Sequence, residues 1–543
     1  MRLSDPSALL KQLIRPYPIG GSSLVRDYLQ EKPAALAFYP GSPFNLASYR
    51  NKLEEVSARF TRSERENAAR ALKPTSPTAA DRLRRFVEEG GAMVTTGQQA
   101  GFLTGPLYTV YKALSTVVLA RHLEAEFGRI VIPVFWVASD DHDWAEVNHA
   151  YLLDSSNRLV RLGLEGGDEA LPMSARRLEG DLEKLSEHVS QVVAGSVANR
   201  DIVREILDPW NIGGRTVAEA FGDSMRSILS PFDVCLADAA DPELKRAALP
   251  ILRRALSDSA GQEERLTERT QAIEDAGYHG QVAVLATGTN VFRFNGEARE
   301  RLYVRGQDFT VRERRLRIPR EELLVELEAD PTTFSPNVFL RPVVESGVFP
   351  TLAYVGGPGE IAYFAQAGAL FETHGMTPPV VVPRFAGLVV EPKVEKLLAS
   401  LGLGLDEAES PREALIEKLA RNALPPEVAD MLARLRTNMV GDFAALLEQS
   451  EEIDPTLLGA LGASRNRTLL EAARAERKII RAIKRSDRVA IDKLDRTLAS
   501  LRPLGEPQDR VLNILPFIAR YGRHFIPEIE RTVLSSWRLP NNS

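Results

Sequence analysis

The sequence predicts an α/β fold: an open sheet built from strand–helix–strand units, followed by a helical domain of coiled-coil character. Three observations carry this reading. Two short apolar runs, in VTTGQQAGFLTGPLYTVYK and VIPVFWVASDDHD, each end at once in glycines or acids, as strands do at the ligand-binding edge of an open sheet. The residues between the runs have helical spacing. Beyond about residue 388 strand signals vanish and long charged stretches of helical periodicity take over.

Taken in order, residues 48–90 read as helical and polar, most clearly in SARFTRSERENAARALK. Met93 to Thr96 reads as a short buried strand. Pro106 opens a helix to about Phe127, since proline is well tolerated at the first helical position. Leu107, Val110, Leu114, Val117 and Val118 give it an apolar stripe. Ile130 to Ala138 is apolar throughout, as expected of a strand covered on both faces, and completes a βαβ unit. Asn148 to Leu153 and Leu159 to Leu164 suggest a hairpin leaving the sheet. Helices near 181–195 and 215–230, a strand around Val234 and a helix over 262–277 follow. NVFRFNGEARERLYVRG carries a hairpin signal at Asn295-Gly296. Leu352 to Val355 is another strand ending in glycines, and a helix from about Glu360 leads to the apolar run Val380 to Val382.

In the helical part, DMLARLRTNMVGDFAALLEQ is followed by RTLLEAARAERKIIRAIKRSDRVAIDKLDRTLASL, 35 residues without Pro or Gly, which reads as one long helix or coiled coil. A break at Asp454-Pro455 makes the two an antiparallel hairpin. Leu469, Leu470, Ala472, Ala475, Ile479, Ile480, Ile483, Val489 and Leu494 supply its apolar side. DRVLNILPFIARYGRHFIPEIE is compact and apolar and is expected to return to the main body. The expected domains are residues 1–387, 388–505 and 506–543.

A length of 543 residues suggests roughly three units of about 150. With 44% hydrophobic and 26% charged residues, the composition is that of a soluble globular protein. A net charge of −6 argues against a broad nucleic-acid surface. The N-terminal MRLSDPSALLKQLIRPYP lacks the apolar core of a signal peptide, and no apolar run approaches the roughly 20 residues of a membrane span. The single cysteine, Cys235, makes no internal disulfide and fits a reducing cytoplasm. It reads as a small buried hydrophobe rather than a nucleophile, and a cysteine-thiolate zinc site is excluded by count.

Three stretches carry candidate chemistry. In GQQAGFLTGP, Gly97, Gly101 and Gly105 recur every fourth residue, matching neither G-x-G-x-x-G nor a P-loop. Such a turn still offers backbone N–H groups to an anion, and Gln98, Gln99 and Thr104 add polar groups that a plain turn does not need. In SDDHDWAEVNH, Asp140, Asp141, His142 and Asp143 follow a strand directly, with Asn148 and His149 beyond. Such a cluster suits a general base, an amine ligand or a metal such as Mg²⁺. In RPVVESGVFPTLAYVGGPGEIAYFAQ, Gly356, Gly357 and Gly359 turn a strand into a helix. Glu360 suits that helix's dipole, and Arg341 either fixes a carboxylate bidentately or belongs to a structural pair.

GPLYTVYKALSTVVLARHLE resembles the Gly-Pro-Leu-His-x-Gly-His segment of class I aminoacyl-tRNA synthetases. Tyr108 and Tyr111 stand at its histidine positions and Val110 at its internal glycine, and no KMSKS-like loop follows. The resemblance implies a nucleotidyltransferase-like scaffold without the adenylation signature. Either tyrosine also reads as a helix-packing residue.

TGQQAGFLTGPLYTVYK, FWVASDDHDWAEVNH, FLRPVVESGVFPTLAYVGGPGEIAYFA and RVLNILPFIARYG occur in this order from about residue 94 onward. Together they resemble the cysteine-adding enzymes of bacillithiol biosynthesis, the BshC cysteine ligase family. The resemblance implies a Rossmann-like core with inserted connecting segments and an α-helical coiled coil that mediates homodimerisation. It implies addition of L-cysteine to the glucosamine amine of glucosaminyl-malate. The matching positions imply Asp141, His142 and Asp143 as catalytic. They imply Gln98, Gln99, Gly101, Thr104, Gly105, Tyr108, Lys112, Asn148, His149, Arg341, Gly357, Gly359 and Glu360 as substrate- or nucleotide-binding. Ser139-Asp140, Glu345 and Phe364 depart from the family pattern, which has Glu or Gly then Glu, Gln, and commonly Trp there.

Amide formation from a free carboxylate needs activation, so ATP is the expected cosubstrate, with Mg²⁺ as its companion. Asp141 or His142 would take the proton of the attacking amine, and the helix N-terminus after Gly105 would hold a phosphate or the malyl carboxylate. The alternative is a catalytically silent nucleotide- or metabolite-binding scaffold acting through its coiled coil.

Overall fold

The structure, a computed structural model, describes residues 13–167, 170–193, 199–312 and 314–542. Residues 1–12 of the N-terminal reading, and 194–195 of the helix expected near 181–195, lie outside them. That helix is Leu182–Val192. The chain forms two compact units. One comprises the residues up to Ser155, Val160–Val389 and Asp509 onward; the other comprises Ser156–Leu159 and Val390–Gln508.

The first unit is built on a six-stranded sheet. Its strands are β1 (Leu72–Pro74), β2 (Ala92–Gln99), β3 (Val131–Ala138), β4 (Cys235–Asp238), β5 (Thr351–Gly356) and β6 (Val380–Pro383), in the order β6-β5-β2-β3-β4-β1. All neighbours run parallel except the β1–β4 pair. Successive side chains of a strand point to opposite faces, and both faces are covered. Met93 joins the core that holds Ile132, Val134, Trp136 and Cys235, while Ala92 and Val94 join the core of Val131, Leu352 and Val355. Cys235 is fully buried, and burial pushes its thiol up to about 12, so it packs and does not react.

Helix α1 (Leu107–Phe127) follows β2 and closes on Gly128, which takes the left-handed conformation at φ 60°. It is less amphipathic than its apolar stripe suggests: Thr109, Lys112, Ser115 and Thr116 are buried with the stripe, as in a helix covered on most sides. Three further helices matter for the site: α2 (Pro242–Ser257), α3 (Arg341–Val348) and α4 (Pro358–Thr373). A five-stranded antiparallel sheet also stands beside the site. It runs Leu316–Ile318, Asp308–Val311, Arg299–Arg305, Gly288–Phe294, Phe334–Pro336 in spatial order. The expected hairpin around Asn295-Gly296 joins Gly288–Phe294 to Arg299–Arg305. His149–Leu153 and Leu159–Gly163 form a separate two-stranded sheet.

In the second unit, α5 (Pro426–Ile453) and α6 (Leu457–Ser486) make the expected hairpin. Arg436 of α5 pairs with Glu476 of α6 at 3.2 Å, fixing the antiparallel register. The stretch read as one helix of 35 residues breaks at Asp487. That side chain accepts a hydrogen bond from the Ala490 amide at 2.9 Å and caps a new helix, α7 (Arg488–Leu501), the usual preference of aspartate at an N-cap.

Candidate functional site

The carboxyl ends of β2, β3, β4 and β5 open into one cavity of about 730 Å³. It collects Gln98, Gln99, Tyr108, Asp141, His142, Arg341, Gly357, Gly359 and Glu360 from the sequence-predicted set. Gln99 at the end of β2 donates to Asp141 Oδ2 at 2.7 Å, and the His142 amide donates to Asp141 Oδ1 at 2.7 Å. The glutamine of the glycine-rich turn therefore orients the carboxylate of the acidic turn. Asp140, beside it, also lines the cavity and has a different partner. Lys245 of α2, fully buried, donates to it at 2.9 Å and to the Phe334 carbonyl at 2.6 Å, anchoring the acidic turn from beneath. Burial raises the Asp140 carboxyl's pKa, and the Lys245 ammonium works against that rise.

On the opposite wall the charges come in pairs. Lys112 of α1 is buried, donates to both Glu360 oxygens at 2.9 and 2.7 Å, and also binds the Gly97 carbonyl. Glu360 further accepts from Tyr354 Oη at 2.5 Å and from the Gly357 amide at 2.7 Å, capping α4. Burial opposes its charge, but Lys112, the Tyr354 hydroxyl and the Gly357 amide together hold the carboxyl below its ordinary value. Arg341 opens α3, pairs with Glu345 and donates to Tyr363 Oη at 3.2 Å. Glu345 is 1% exposed, so the acid at this departure from the family pattern serves as the arginine's partner and does not face the cavity.

Several predicted residues lie elsewhere. Asp143 is exposed and caps the short helix Trp144–Val147. Gly101, Gly105 and His149 line a smaller cavity of about 150 Å³. Asn148 lines neither cavity and contacts His149 Nδ1 at 2.9 Å. Lys112 sits behind the wall. Thr104 is fully buried at φ 97°, a left-handed conformation unusual for a β-branched residue. Asn513 holds this turn, donating to the Leu103 carbonyl at 3.0 Å, the Gly105 carbonyl at 2.7 Å and Thr104 Oγ1 at 3.3 Å.

Two of the helix amides after Gly105, where an anion is expected, already have partners. Leu107 N–H donates to the Leu512 carbonyl at 2.7 Å, and Thr109 N–H to that of Pro106 at 2.9 Å. The two synthetase-like tyrosines divide: Tyr108 faces the cavity and accepts from Gln98 at 2.8 Å, while Tyr111 is buried against Phe385.

The cavity also holds residues that sequence reasoning missed. Arg299 and Arg301 come from the antiparallel sheet, Arg384 from just past β6, and Arg510 from the returning segment. Arg384 binds buried Asp509 at 2.6 Å, and Tyr17 donates to the same carboxylate at 2.6 Å. Arg510 has no hydrogen-bond or ion-pair partner among the described residues. Glu146 also lines the cavity. Burial raises its pKa, with the Asp143 and Asp141 carboxylates adding to the rise. Glu146 and Arg510 lie inside motifs already read, and Arg384 obeys the strand-end rule. Arg299 has no local sequence signal.

Among the described residues, no group of three or more His, Cys, Asp or Glu side chains is placed to hold a metal ion, and no helix is long and apolar enough to cross a membrane. The arrangement offers a carboxylate oriented by a neutral donor, Asp141, in a cavity rich in guanidinium and phenol groups. It suits binding of anionic substrates and acceptance of a proton from one of them.

Comparison with known proteins agrees with this geometry. The family described as "Bacillithiol biosynthesis BshC, N-terminal Rossmann-like domain" matches residues 11–385, and "Bacillithiol biosynthesis BshC, C-terminal coiled-coil domain" matches residues 387–535. Proteins named "Putative cysteine ligase BshC" from Koribacter versatilis, Solibacter usitatus and Bacillus thuringiensis (strain Al Hakam) are 35%, 30% and 29% identical to this chain. Their alignments cover 92%, 92% and 82% of this chain and 93%, 93% and 84% of the relatives. A Rossmann-like sheet whose strand ends form the cavity, a helical hairpin beyond it and matches over nearly the whole length lead to one conclusion: the chain belongs to the bacillithiol biosynthesis BshC family.

Proposed function

We propose that this protein is a cytoplasmic cysteine ligase that joins the carboxyl carbon of L-cysteine to the glucosamine amine of glucosaminyl-malate, forming bacillithiol. The observation that carries the reading is the Gln99–Asp141 contact, which places an oriented carboxylate at the mouth of a cavity otherwise rich in guanidinium groups. In the reaction the C–N bond forms as the activated carboxyl loses its leaving group, and Asp141 accepts the proton shed by the amine. ATP supplies the activation of the carboxylate as cosubstrate. Its phosphates would meet Arg384 and Arg510, leaving Arg341 to the malyl carboxylates. Mg²⁺ would enter with the nucleotide.

A second copy of the chain is the expected partner. Met431, Leu435, Leu446, Ile453 and Leu470 of the α5–α6 hairpin are between 44% and 78% exposed, more apolar surface than a solvated hairpin accounts for. Incubating purified protein with cysteine, ATP and glucosaminyl-malate tests the function. Consumption of all three with a product of bacillithiol mass is expected. Binding without turnover would replace the ligase by a silent metabolite-binding scaffold.

A further inference from the structure

The His142 imidazole meets an unusual neighbour. Arg299 Nη1 lies 3.2 Å from His142 Nδ1. A guanidinium carries only N–H donors and does not lose its charge in proteins, so the contact has one polarity: Nδ1 presents its lone pair. A neutral imidazole with a bare Nδ1 carries its proton on Nε2. Asp141 does not compete for Nδ1, since its Oδ1 is 3.7 Å away, beyond hydrogen-bond reach.

Arg299 is also immobile. Its Nε donates to Ser335 Oγ at 2.9 Å, its Nη2 to the Pro336 carbonyl at 2.8 Å, and its guanidinium stacks over the Phe292 ring at 4.0 Å. Its side chain is 8% exposed, against 36% for His142. The imidazole thus faces the cavity with its orientation set from behind. Burial and the Arg299 charge both lower its pKa, and the facing Asp141 and Asp143 carboxylates only partly offset them. Among the described residues Nε2 has no partner.

We propose that Arg299 is a positioning residue that locks His142 in the Nε2–H tautomer, so that His142 serves as a fixed hydrogen-bond donor to a substrate oxygen and Asp141 alone accepts the proton. This division of labour rests on the reading of the cavity as the reacting centre. The tautomer itself does not. A bare Nε2 could take a proton from an amine; a protonated one stabilises a carbonyl, a carboxylate or the negative charge that develops on such an oxygen.

The test is magic-angle-spinning nitrogen NMR of the full chain carrying ring-labelled histidine, with His142→Gln identifying the signals by their loss. At pH 7 the unmodified protein should show His142 neutral, with the protonated nitrogen correlated to Cδ2 and therefore Nε2. Arg299→Met should give a mixture with Nδ1–H or imidazolium, and Arg299→Lys, which keeps a cationic donor, should restore part of the Nε2–H population. An imidazolium or an Nδ1–H form in the unmodified protein, or an unchanged tautomer in Arg299→Met, overturns the lock.

Turnover supplies the second arm. A glutamine amide reaches about where Nε2–H lies and an asparagine amide does not, so His142→Gln should retain about tenfold more turnover than His142→Asn, the worth of one hydrogen bond. Equal loss in both overturns the donor role. The NMR arm needs no substrate, so it stands even if the unmodified protein fails to ligate cysteine, which is the failure that would sink the ligase reading.

Discussion

In the sheet-centred unit, the pairs Lys112–Glu360, Lys245–Asp140, Arg341–Glu345 and Arg384–Asp509 each contain a side chain at most 2% exposed. In the helical unit, both partners of Arg412–Asp495 and Arg421–Glu417 are open to water. Apolar residues show the same contrast. The inner strands of the sheet bury theirs, while the α5–α6 hairpin leaves large ones exposed. Exposed pairs contribute about 0–1 kcal/mol and tolerate exchange. A buried pair gains little over an apolar replacement, yet costs several kcal/mol when one partner is removed. The sheet unit therefore uses charge to fix positions. The helical unit leaves its charges and several large apolar side chains open to water.

The sharpest way to test that contrast is Asp141→Asn. It keeps the size and the Gln99 contact but removes the proton acceptor. Turnover should fall by about 100- to 10,000-fold, with the thermal midpoint nearly unchanged. Turnover near that of the unmodified protein would mean that the acidic turn is not the reacting centre. Lys112→Met attacks a pair that is buried rather than reactive. It strands the Glu360 charge, and denaturant titration should read a loss of about 3–5 kcal/mol. The matching change in the helical unit, Arg412→Met, should lose less than about 1 kcal/mol. Equal losses would abolish the distinction between the units.

Arg341→Lys keeps the charge but not the planar fork. Its cost should be about 1.5–3 kcal/mol, or roughly ten- to a hundredfold in glucosaminyl-malate affinity, with little change for the malate-free sugar amine. Equal weakening of both ligands would mean that Arg341 does not read the malyl group.

A smaller effect comes from His374, whose imidazole burial, with help from the Arg254 charge, lowers from 6.5 to about 4. The folded value lies below the unfolded one, so unfolding takes up a proton in acid. Stability is therefore fully present above about pH 6.5 and declines as pH falls toward 4, by about 1–2 kcal/mol after allowance for partial exposure. His374→Gln should flatten the pH dependence of the denaturation midpoint in that window. An unaltered profile would assign the acid sensitivity to other groups.

The smallest change in folding stability is expected from Met431→Glu with Leu435→Glu. These are surface positions, and each should shift it by less than about 0.5 kcal/mol. Yet sedimentation should convert dimers to monomers. Ile479 and Ile483 are poorer targets than the sequence pattern suggests, because they are half-buried within their own unit. Persistent dimers in the Met431/Leu435 variant would place the interface elsewhere.

The β2–α1–β3 run, the hairpin break near Asp454 and the return of the RVLNILPF segment were legible because each rests on local periodicity or turn chemistry. The Gln98, Gln99, Asp141 and His142 positions were legible because they follow strand ends. Lys245, Arg299 and Asn513 were not. Each acts on a turn more than a hundred residues distant, and one sequence carries no pairing signal over such separations. The same blindness hid a neighbour of the Gly101–Gly105 turn, since nothing local announces that Leu512 fills the Leu107 amide. The helix read across Asp487 failed for a different reason: apolar periodicity continued through a residue whose capping preference outweighed it.

The clamp of Leu512 and Asn513 on the glycine-rich turn also has a consequence for synthesis on the ribosome. The polypeptide leaves the sheet-centred unit after Val389 and rejoins it only at Asp509. At about 5–20 residues per second, translation of the intervening helices takes roughly 6–24 s. Throughout that interval the six strands have all been made, yet the left-handed turn at Thr104 lacks its clamp and the cavity lacks Arg510. Nascent chains thus pass through a stage with a sheet and no finished site. Competence to react arrives only with the segment from Asp509, after the hairpin that would recruit a second copy.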